Sequence, residues 1–182
     1  MQYQAVVFDM DGVIFDTERL VIEFWKEVAK RHNIPNVEHT CIQCLGTNRV
    51  RTREIFLENY GADFPFDPYR AEVTELFNTH YKGVPLPTKP GVRELLSYLQ
   101  EQDIKVGLAS STAQHLVRDE IGTAGLLPYF QTLVCGDMVE HSKPAPDIFL
   151  KACEILNADP TKSIAIEDSF NGIRSAHCAG MT

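Results

Sequence analysis

Four short apolar runs, each followed at once by polar residues, constrain the fold of this chain more than any other feature. The runs are continuous rather than alternating, which is typical of strands buried on both faces of a parallel sheet. Helical patterns separate them, and an alternation of strand and helix predicts a doubly wound α/β sheet of the Rossmann type. The predicted strands are residues 3–8, 104–109, 132–135 and 163–166, and the helices between and after them are residues 92–99, 113–121, 146–156 and 170–179.

Residues 17–84 interrupt this alternation, because they hold helical patterns and no convincing strand. A helix from Asp67 to Tyr81 has a good start signal, since Asp67 is placed to cap it and Pro68 suits its first turn. The prolines at 85 and 87 then favour an extended connector. We therefore predict two domains: an α/β core of residues 1–16 and 85–182, and an inserted all-helical domain of residues 17–84.

The composition is that of an acidic globular protein. The chain of 182 residues has 17 Lys+Arg and 25 Asp+Glu, a formal net charge of −8. This charge argues against nucleic acid or an anionic membrane as the main partner. No apolar stretch approaches the ~20 residues that span a bilayer, and the N-terminus lacks the basic start of a signal peptide. We expect a cytoplasmic monomer.

The five cysteines form an odd, scattered set, unlike the cysteines of secreted disulfide scaffolds. Cys41 and Cys44 have the Cys-x-x-Cys spacing of some redox and zinc sites. No second pair with ligand spacing follows, so buried thiols on a short helix are the favoured interpretation.

The polar residues that end the apolar runs are predicted to meet, because ligands of open parallel sheets bind beyond the carboxyl ends of the strands. Crowded carboxylates need a hard divalent cation, most simply Mg²⁺. A lysine and hydroxyl groups at the same point would bind an anionic group, so the set indicates a phosphoryl site. One carboxylate could attack phosphorus while a neighbour moves protons. The residues are Asp9, Asp11, Ser110, Ser111, Lys143, Glu167 and Asp168.

Four ordered motifs resemble the haloacid dehalogenase superfamily, in its β-phosphoglucomutase-like phosphatase branch. The first motif is residues 6–13 (VVFDMDGV) followed by Asp16-Thr17-Glu18, and the second is residues 106–111 (VGLASS). The third is residues 142–149 (SKPAPDIF), and the fourth is residues 166–173 (IEDSFNGI). An isolated Asp-x-Asp-Gly would be a weak signal, whereas four motifs in order over nearly the whole chain are a strong one.

The resemblance implies a role for each matched residue. Asp9 resembles the nucleophile that becomes phosphorylated, and Asp11 resembles the general acid/base. Ser110 and Lys143 resemble the phosphate anchors, with Ser111 beside them. Asp168, Asp9 and the backbone carbonyl of Asp11 resemble the Mg²⁺ ligands, with Glu167 as a ligand or an outer-shell partner. Because the true dehalogenases lack the second aspartate, Asp11 favours phosphate-ester chemistry.

The helical insert resembles the cap domain of this branch. Its segment Leu45-Gly46-Thr47-Asn48-Arg49 resembles a cap loop that faces the active site, so Gly46, Thr47 and Arg49 are candidate substrate-binding residues. An arginine fork at position 49 suits a second phosphate or a carboxylate. Mutases of the branch have a lysine and a histidine at the places that Leu45 and Val21 occupy here, which favours a hydrolase.

The resemblance therefore implies a Mg²⁺-dependent phosphatase that acts on a small phosphorylated metabolite, such as a sugar phosphate, through an aspartyl phosphate. A β-phosphoglucomutase-like mutase and a non-catalytic module that binds metal and phosphate are the alternatives. Gly180 is predicted to end the last helix. Relatives of this branch continue with a further strand and helix, so we expect these to be missing from this chain.

Overall fold

A computed structural model of the protein describes residues 3–44 and 49–182. It divides into two compact units, Met1–Asp16 with Pro85–Thr182 and Thr17–Val84. The strands are β1 (Ala5–Phe8), β2 (Lys105–Ser110), β3 (Thr132–Cys135) and β4 (Ser163–Ile166). The helices are α1 (Thr17–His32), α2 (Val37–Gln43), α3 (Arg49–Tyr60), α4 (Phe66–Tyr81), α5 (Val92–Glu101), α6 (Gln114–Thr123), α7 (Asp147–Leu156) and α8 (Phe170–Cys178).

The first unit contains a parallel sheet of four strands in the order β3-β2-β1-β4. All four residues of β1 are buried, which explains why its sequence is continuously apolar rather than alternating. The α/β fold predicted from the four apolar runs is confirmed. The strand bounds differ from the prediction by one or two residues at most, as at β2, which begins at Lys105 and ends at Ser110.

The core of this unit lies between the sheet and helices α7 and α8. Ala5 and Val7 of β1 pack in one buried cluster with Ile148 and Phe149 of α7 and with Ala176 of α8. Alternate strand residues point to the opposite face, and these are buried as well. Helices α5 and α6 pack against β2 and β3. Thus both faces of the sheet are covered, and a ligand can approach only an end or an edge.

The second unit is all helical, with α1 in contact with α2 and α4, and α3 in contact with the same two helices. Trp25, the single tryptophan, is 2% exposed and lies 4.4 Å from Phe56 and 5.9 Å from Phe66 between ring centroids. The predicted start of α4 is wrong by one residue: the helix begins at Phe66, and Pro65 occupies the N-cap position with no side-chain cap. The Asp67 carboxylate binds arginines instead of capping the helix.

Two segments of the first unit meet where the insert leaves and rejoins it. The Asp16 N–H donates to the Pro87 carbonyl at 3.1 Å, and Lys89 lies 3.8 Å from the Asp16 carboxylate. At the other end of the chain, Gly180 has a φ of +82° and follows α8, as predicted for the residue that ends that helix. Thr182 then lies beside β4, where it bonds the backbone of Ser163 and Ala165.

All five cysteines are free thiols. Cys41 is buried on α2 and Cys44 follows that helix. Burial raises the pKa of the Cys41 thiol to about 12 and that of Cys44 to about 11. Thiols that are protonated in this way are poor nucleophiles and poor metal ligands, which agrees with the structural interpretation of the pair. No helix in residues 3–44 or 49–182 is long and apolar enough to cross a membrane.

Candidate active site

The carboxyl ends of β1, β2 and β4 lie at the same edge of the sheet, which brings the residues at and after them together. Phe8 is paired with Leu108 on one side and with Ile166 on the other. The Asp9 N–H continues the ladder by donating to the Ile166 carbonyl at 2.9 Å. Asp9 thus directly follows the carboxyl end of β1, an internal strand of the sheet, and is only 8% exposed.

Lys143 links three of these strand ends through its ammonium group. Its Nζ lies 2.5 Å from Asp9 Oδ1, 2.6 Å from Glu167 Oε1 and 2.9 Å from the Ala109 carbonyl. The ring of Phe149 lies below it, with its centroid 5.1 Å from Nζ. An ammonium group has three protons, and each has a protein acceptor here. A phosphoryl oxygen that binds Lys143 must therefore share or displace one of these acceptors.

Glu167 is held from both sides. Its Oε1 accepts from Lys143, and its Oε2 accepts from the backbone N–H of Ser169 at 2.9 Å and from the Ser169 hydroxyl at 3.0 Å. The Ser169 hydroxyl in turn accepts from the Gly172 N–H and so caps α8. A Cβ at Gly172 would lie 1.7 Å from Glu167 Oε1, so only glycine admits the carboxylate here.

Burial raises the pKa of Asp9 to about 7, from an ordinary value of 3.8. Lys143 opposes this shift and the Glu167 carboxylate adds to it. The main physical cause is that burial removes water from the charged carboxylate; neighbouring carboxylates add to the shift, and the one lysine only partly opposes it. A further cation at this place would favour the ionised form of Asp9.

Three carboxylates can hold such a cation. One oxygen from each of Asp9, Glu167 and Asp168 lies within 4.8 Å of the others. Hard oxygen donors of this kind suit Mg²⁺. Gly12, with a φ of +76°, allows the backbone after β1 to approach Asp168 closely. A Cβ at this position would lie 1.9 Å from Asp168 Oδ2. The residues therefore fit a magnesium ion, and both Glu167 oxygens already have protein donors.

Asp11 lies at the mouth of the site. It is exposed, and its Oδ2 accepts from the Thr112 hydroxyl at 3.2 Å. Its charge also acts on Glu120 of α6, whose pKa is raised to about 7 by burial and then by Asp11 and Asp119. The Asp11 side chain is outside the three-carboxylate group. Its predicted contribution to a metal is a backbone carbonyl, and that contribution stays a prediction.

The two predicted serines differ in exposure. Ser110, at the end of β2, is 1% exposed and its Oγ accepts from the Thr112 N–H at 3.1 Å. Ser111 is exposed and precedes α6. Their hydroxyl and backbone donors follow the strand beside β1, which is the placement that phosphate binding requires. The role itself stays a prediction.

Arg49 is the first residue of α3, and its side chain forms an ion pair within the helical unit. Its Nη2 donates to Asp67 Oδ1 at 3.2 Å, and Arg53 donates to the other oxygen of the same carboxylate at 3.3 Å. The Arg49 side chain is 79% exposed. Gly46 and Thr47 lie outside the described residues, as does Leu45. Substrate contact by this segment stays a prediction.

Hydrogen bonds to Asp11 and to the loop of Lys143 are among those around the site that were not predicted from the sequence. One is the bond from Thr112 to Asp11, and the other joins the Ser175 hydroxyl to the Ala145 carbonyl at 2.6 Å. Thr112 is two residues past Ser110, so its place at the end of β2 was a usable signal. No local pattern indicates the contact of Ser175, which is thirty residues from its acceptor.

Comparison with known proteins agrees with this geometry. The chain is 34% identical over 178 residues to a phosphorylated carbohydrates phosphatase of Thermotoga maritima, covering 98% of this chain and 82% of that one. It is 34% identical to a β-phosphoglucomutase of Bacillus subtilis, covering 98% and 80%. A solved structure of a candidate β-phosphoglucomutase from Thermotoga maritima superposes with a TM-score of 0.77 at 34% identity, covering 100% and 82%. The family model of the haloacid dehalogenase-like hydrolases matches residues 6–182, and the chain belongs to that family.

Proposed function

We propose that this protein is a Mg²⁺-dependent phosphatase that hydrolyses a small sugar phosphate through a phosphoaspartate at Asp9. The observation that carries the proposal is the placement of Asp9: a buried carboxylate in contact with Lys143, beside two further carboxylates and next to the serine-containing end of β2. A carboxylate, a cation-binding group and hydroxyl donors at one point are the parts that phosphoryl transfer needs.

In the first step, an oxygen of ionised Asp9 attacks phosphorus and the bond from phosphorus to the sugar oxygen breaks. Asp11 gives its proton to the departing sugar oxygen. In the second step, Asp11 takes a proton from water, whose oxygen attacks the phosphoaspartate. The bond from phosphorus to Asp9 breaks, and inorganic phosphate leaves.

The other residues orient the phosphoryl group. Lys143 keeps Asp9 in place and offsets its charge, while Ser110 and Ser111 donate to phosphoryl oxygens. Asp9 and Asp168, with Glu167 and the Asp11 carbonyl, would hold Mg²⁺, which would supply positive charge against the phosphoryl oxygens. Because Asp9 must be ionised to attack, its raised pKa makes charge balance at the site a condition of activity.

The relatives support sugar phosphates as the substrate class. The Thermotoga maritima relative is a phosphatase of phosphorylated carbohydrates. The fructose-1-phosphate phosphatase YqaB of Escherichia coli is 31% identical over 99% of this chain and 94% of its own. We further propose that residues 17–84 act as a cap that selects the substrate, with Gly46, Thr47 and Arg49 in contact with it.

A phosphomutase is the second candidate, because the Bacillus subtilis relative is a β-phosphoglucomutase. Leu45 and Val21 stand where mutases of this branch are expected to have lysine and histidine, which favours water as the phosphoryl acceptor.

The test is phosphate release from a panel of sugar phosphates with Mg²⁺ and with EDTA. Phosphorus NMR follows the same reactions, since a mutase produces an isomeric hexose phosphate faster than inorganic phosphate. Asp9→Asn keeps the shape of the side chain and removes the nucleophile, so we expect a loss of at least a thousandfold in kcat. Full activity of this variant would exclude Asp9 as the nucleophile.

Arg49→Ala tests the cap. We expect it to raise KM for substrates with a second anionic group and to leave singly charged substrates unchanged. Arg51→Ala is the matched control, because Arg51 lies on the same helix and pairs with Glu54 and Glu58 at the surface. Equal effects of the two variants on every substrate would contradict the assignment of Arg49.

A further inference from the structure

The loop that presents Lys143 is attached by hydrogen bonds to neighbouring elements near both of its ends. It runs from the end of β3 to the start of α7, and its segment Lys143–Pro146 contains two prolines, which have no N–H to donate. The Ala145 N–H bonds within the loop, to the Ser142 carbonyl at 3.0 Å. Close to Lys143, the Ala145 carbonyl bonds outside the loop, to α8, and the Pro146 carbonyl accepts from N–H groups of α7.

The donor to the Ala145 carbonyl is the hydroxyl of Ser175, on α8. The hydroxyl lies 2.6 Å from the Ala145 carbonyl, and Ser175 is 0% exposed. Ala145 is half-buried, and a carbonyl that loses its donor there costs stability, so this bond fixes the peptide plane two residues after Lys143. The N-terminus of the same helix is capped by Ser169, which also holds Glu167. Lys143 is therefore held to α8 both through its side chain, by way of Glu167, and through its backbone, by way of Ser175.

We propose that Ser175 is a positioning residue for Lys143. Its hydroxyl bond to the Ala145 carbonyl holds the loop where the ammonium group of Lys143 contacts Asp9 and Glu167 at the same time. The proposal rests on the proposed phosphatase activity for its kinetic consequence. The geometry leaves little freedom, because the three contacts of Lys143 all lie between 2.5 and 2.9 Å. A displacement of about 1 Å at such a site can cost up to a hundredfold in rate.

The chain contains a matched control. Ser163 is also 0% exposed, and its hydroxyl also donates to a loop carbonyl, that of Asp159, at 2.8 Å. It lies at the amino end of β4, about 10 Å along the strand from the end that leads into Glu167. Ser163→Ala thus removes the same kind of bond from the same unit, away from Lys143.

The experiment compares Ser175→Ala, Ser175→Cys and Ser163→Ala by kcat, KM and melting temperature. We expect kcat to fall about tenfold in Ser175→Ala and less in Ser175→Cys, which keeps a weak donor of similar size, while KM changes less than twofold. Ser163→Ala should lower the melting temperature by a similar amount and keep kcat. If Ser175→Ala does not fold, the comparison of Ser175→Cys with Ser163→Ala decides the question.

A second readout does not depend on turnover. The ammonium protons of Lys143, buried and bonded three times, should give a slowly exchanging NMR signal in protein labelled with ¹⁵N-lysine, assigned by its loss in Lys143→Met. Ser175→Ala should speed this exchange, whereas Ser163→Ala should not. Unchanged exchange and unchanged kcat in both Ser175 variants would overturn the proposal. Faster exchange in an enzyme that hydrolyses no phosphate ester would instead refute the proposed function and keep the role of Ser175.

Discussion

The metal-free protein should lose stability as the pH rises from 5 to 8, and Asp9 should be the main cause. Its pKa is about 7 in the folded protein, against 3.8 ordinarily. The folded state therefore binds this proton more tightly than the unfolded state does. Stability is then fully present below the unfolded pKa and is lost as the pH rises through the folded one.

The magnitude follows from the shift. About three pH units at 1.36 kcal/mol each correspond to about 4 kcal/mol over the whole titration, and roughly 2–3 kcal/mol of this falls between pH 5 and pH 8. For a domain with a total stability of about 5–15 kcal/mol, this is a large fraction. Asp9→Asn keeps a neutral acceptor for Lys143, so the variant should be more stable than the wild type at pH 8 and similar to it at pH 5.

The assay is urea unfolding in EDTA at half-unit steps of pH, followed by far-UV circular dichroism. Trp25 lies in the helical unit, so its fluorescence reports on that unit separately. Glu120 must be controlled, because its pKa is also raised to about 7 and it titrates in the same direction. Glu120 is only partly buried, so Glu120→Gln should remove a smaller share of the pH dependence.

The decisive quantity is the slope of the unfolding free energy against pH. We expect a loss approaching 1.4 kcal/mol per unit near pH 5–6 in the wild type and a much smaller one in Asp9→Asn. Millimolar Mg²⁺ should flatten the wild-type curve, because a cation that binds the ionised site stabilises the folded state. Parallel curves for the wild type and Asp9→Asn would refute the reasoning.

Two further predictions concern close packing and thiol reactivity. Gly172→Ala places a Cβ 1.7 Å from Glu167 Oε1, so we expect it to lower kcat at least tenfold and destabilise the fold by about 1–3 kcal/mol in thermal unfolding and phosphate-release assays. Gly122→Ala, whose Cβ would lie 3.3 Å from a leucine methyl group, should do neither, and equal effects of the two would be contrary evidence. At pH 8, a disulfide reagent should modify exposed Cys178 rapidly and Cys41, with its pKa near 12, only on unfolding. Cys178→Ser should remove the fast phase, and a fast phase that persists would contradict this.

The sequence predicted the parallel sheet because burial on both faces leaves a local signal. A strand such as β1 must be apolar at every position, and the break into Asp9 marks its carboxyl end. Since parallel strands end at a common edge, the convergence of Asp9, Ser110 and Glu167 follows from topology alone. Helix bounds were less accurate at several ends, because end residues depend on caps and contacts rather than on periodicity.

The contacts of side chains across the fold could not be predicted in the same way. Asp67 has the local features of a helix cap, yet it accepts from Arg49 and Arg53. Pairing with the arginines replaces the capping role that the local sequence favours for Asp67, because two arginines of α3 lie beside the first turn of α4. The bond from Lys143 to Glu167 is likewise a tertiary contact, between residues 24 apart, whereas the bonds from Ser169 to Glu167 are local.

The hydrogen bonds of Glu167 distinguish it from the other carboxylates of the site, with which it was predicted from the sequence to bind metal. Both Glu167 oxygens already accept from protein donors, so Glu167 is suited to hold Lys143 and Ser169, and Ser169 in turn caps α8. The charge of Lys143 is then divided between Glu167 and Asp9, and it cannot fully balance either one. Burial is the main reason that the pKa of Asp9 is raised, and Lys143 only partly opposes it, so a further cation would favour the ionised form of Asp9 near neutral pH. The order of events that follows is cation first and chemistry second, so activity and metal affinity should rise together with pH.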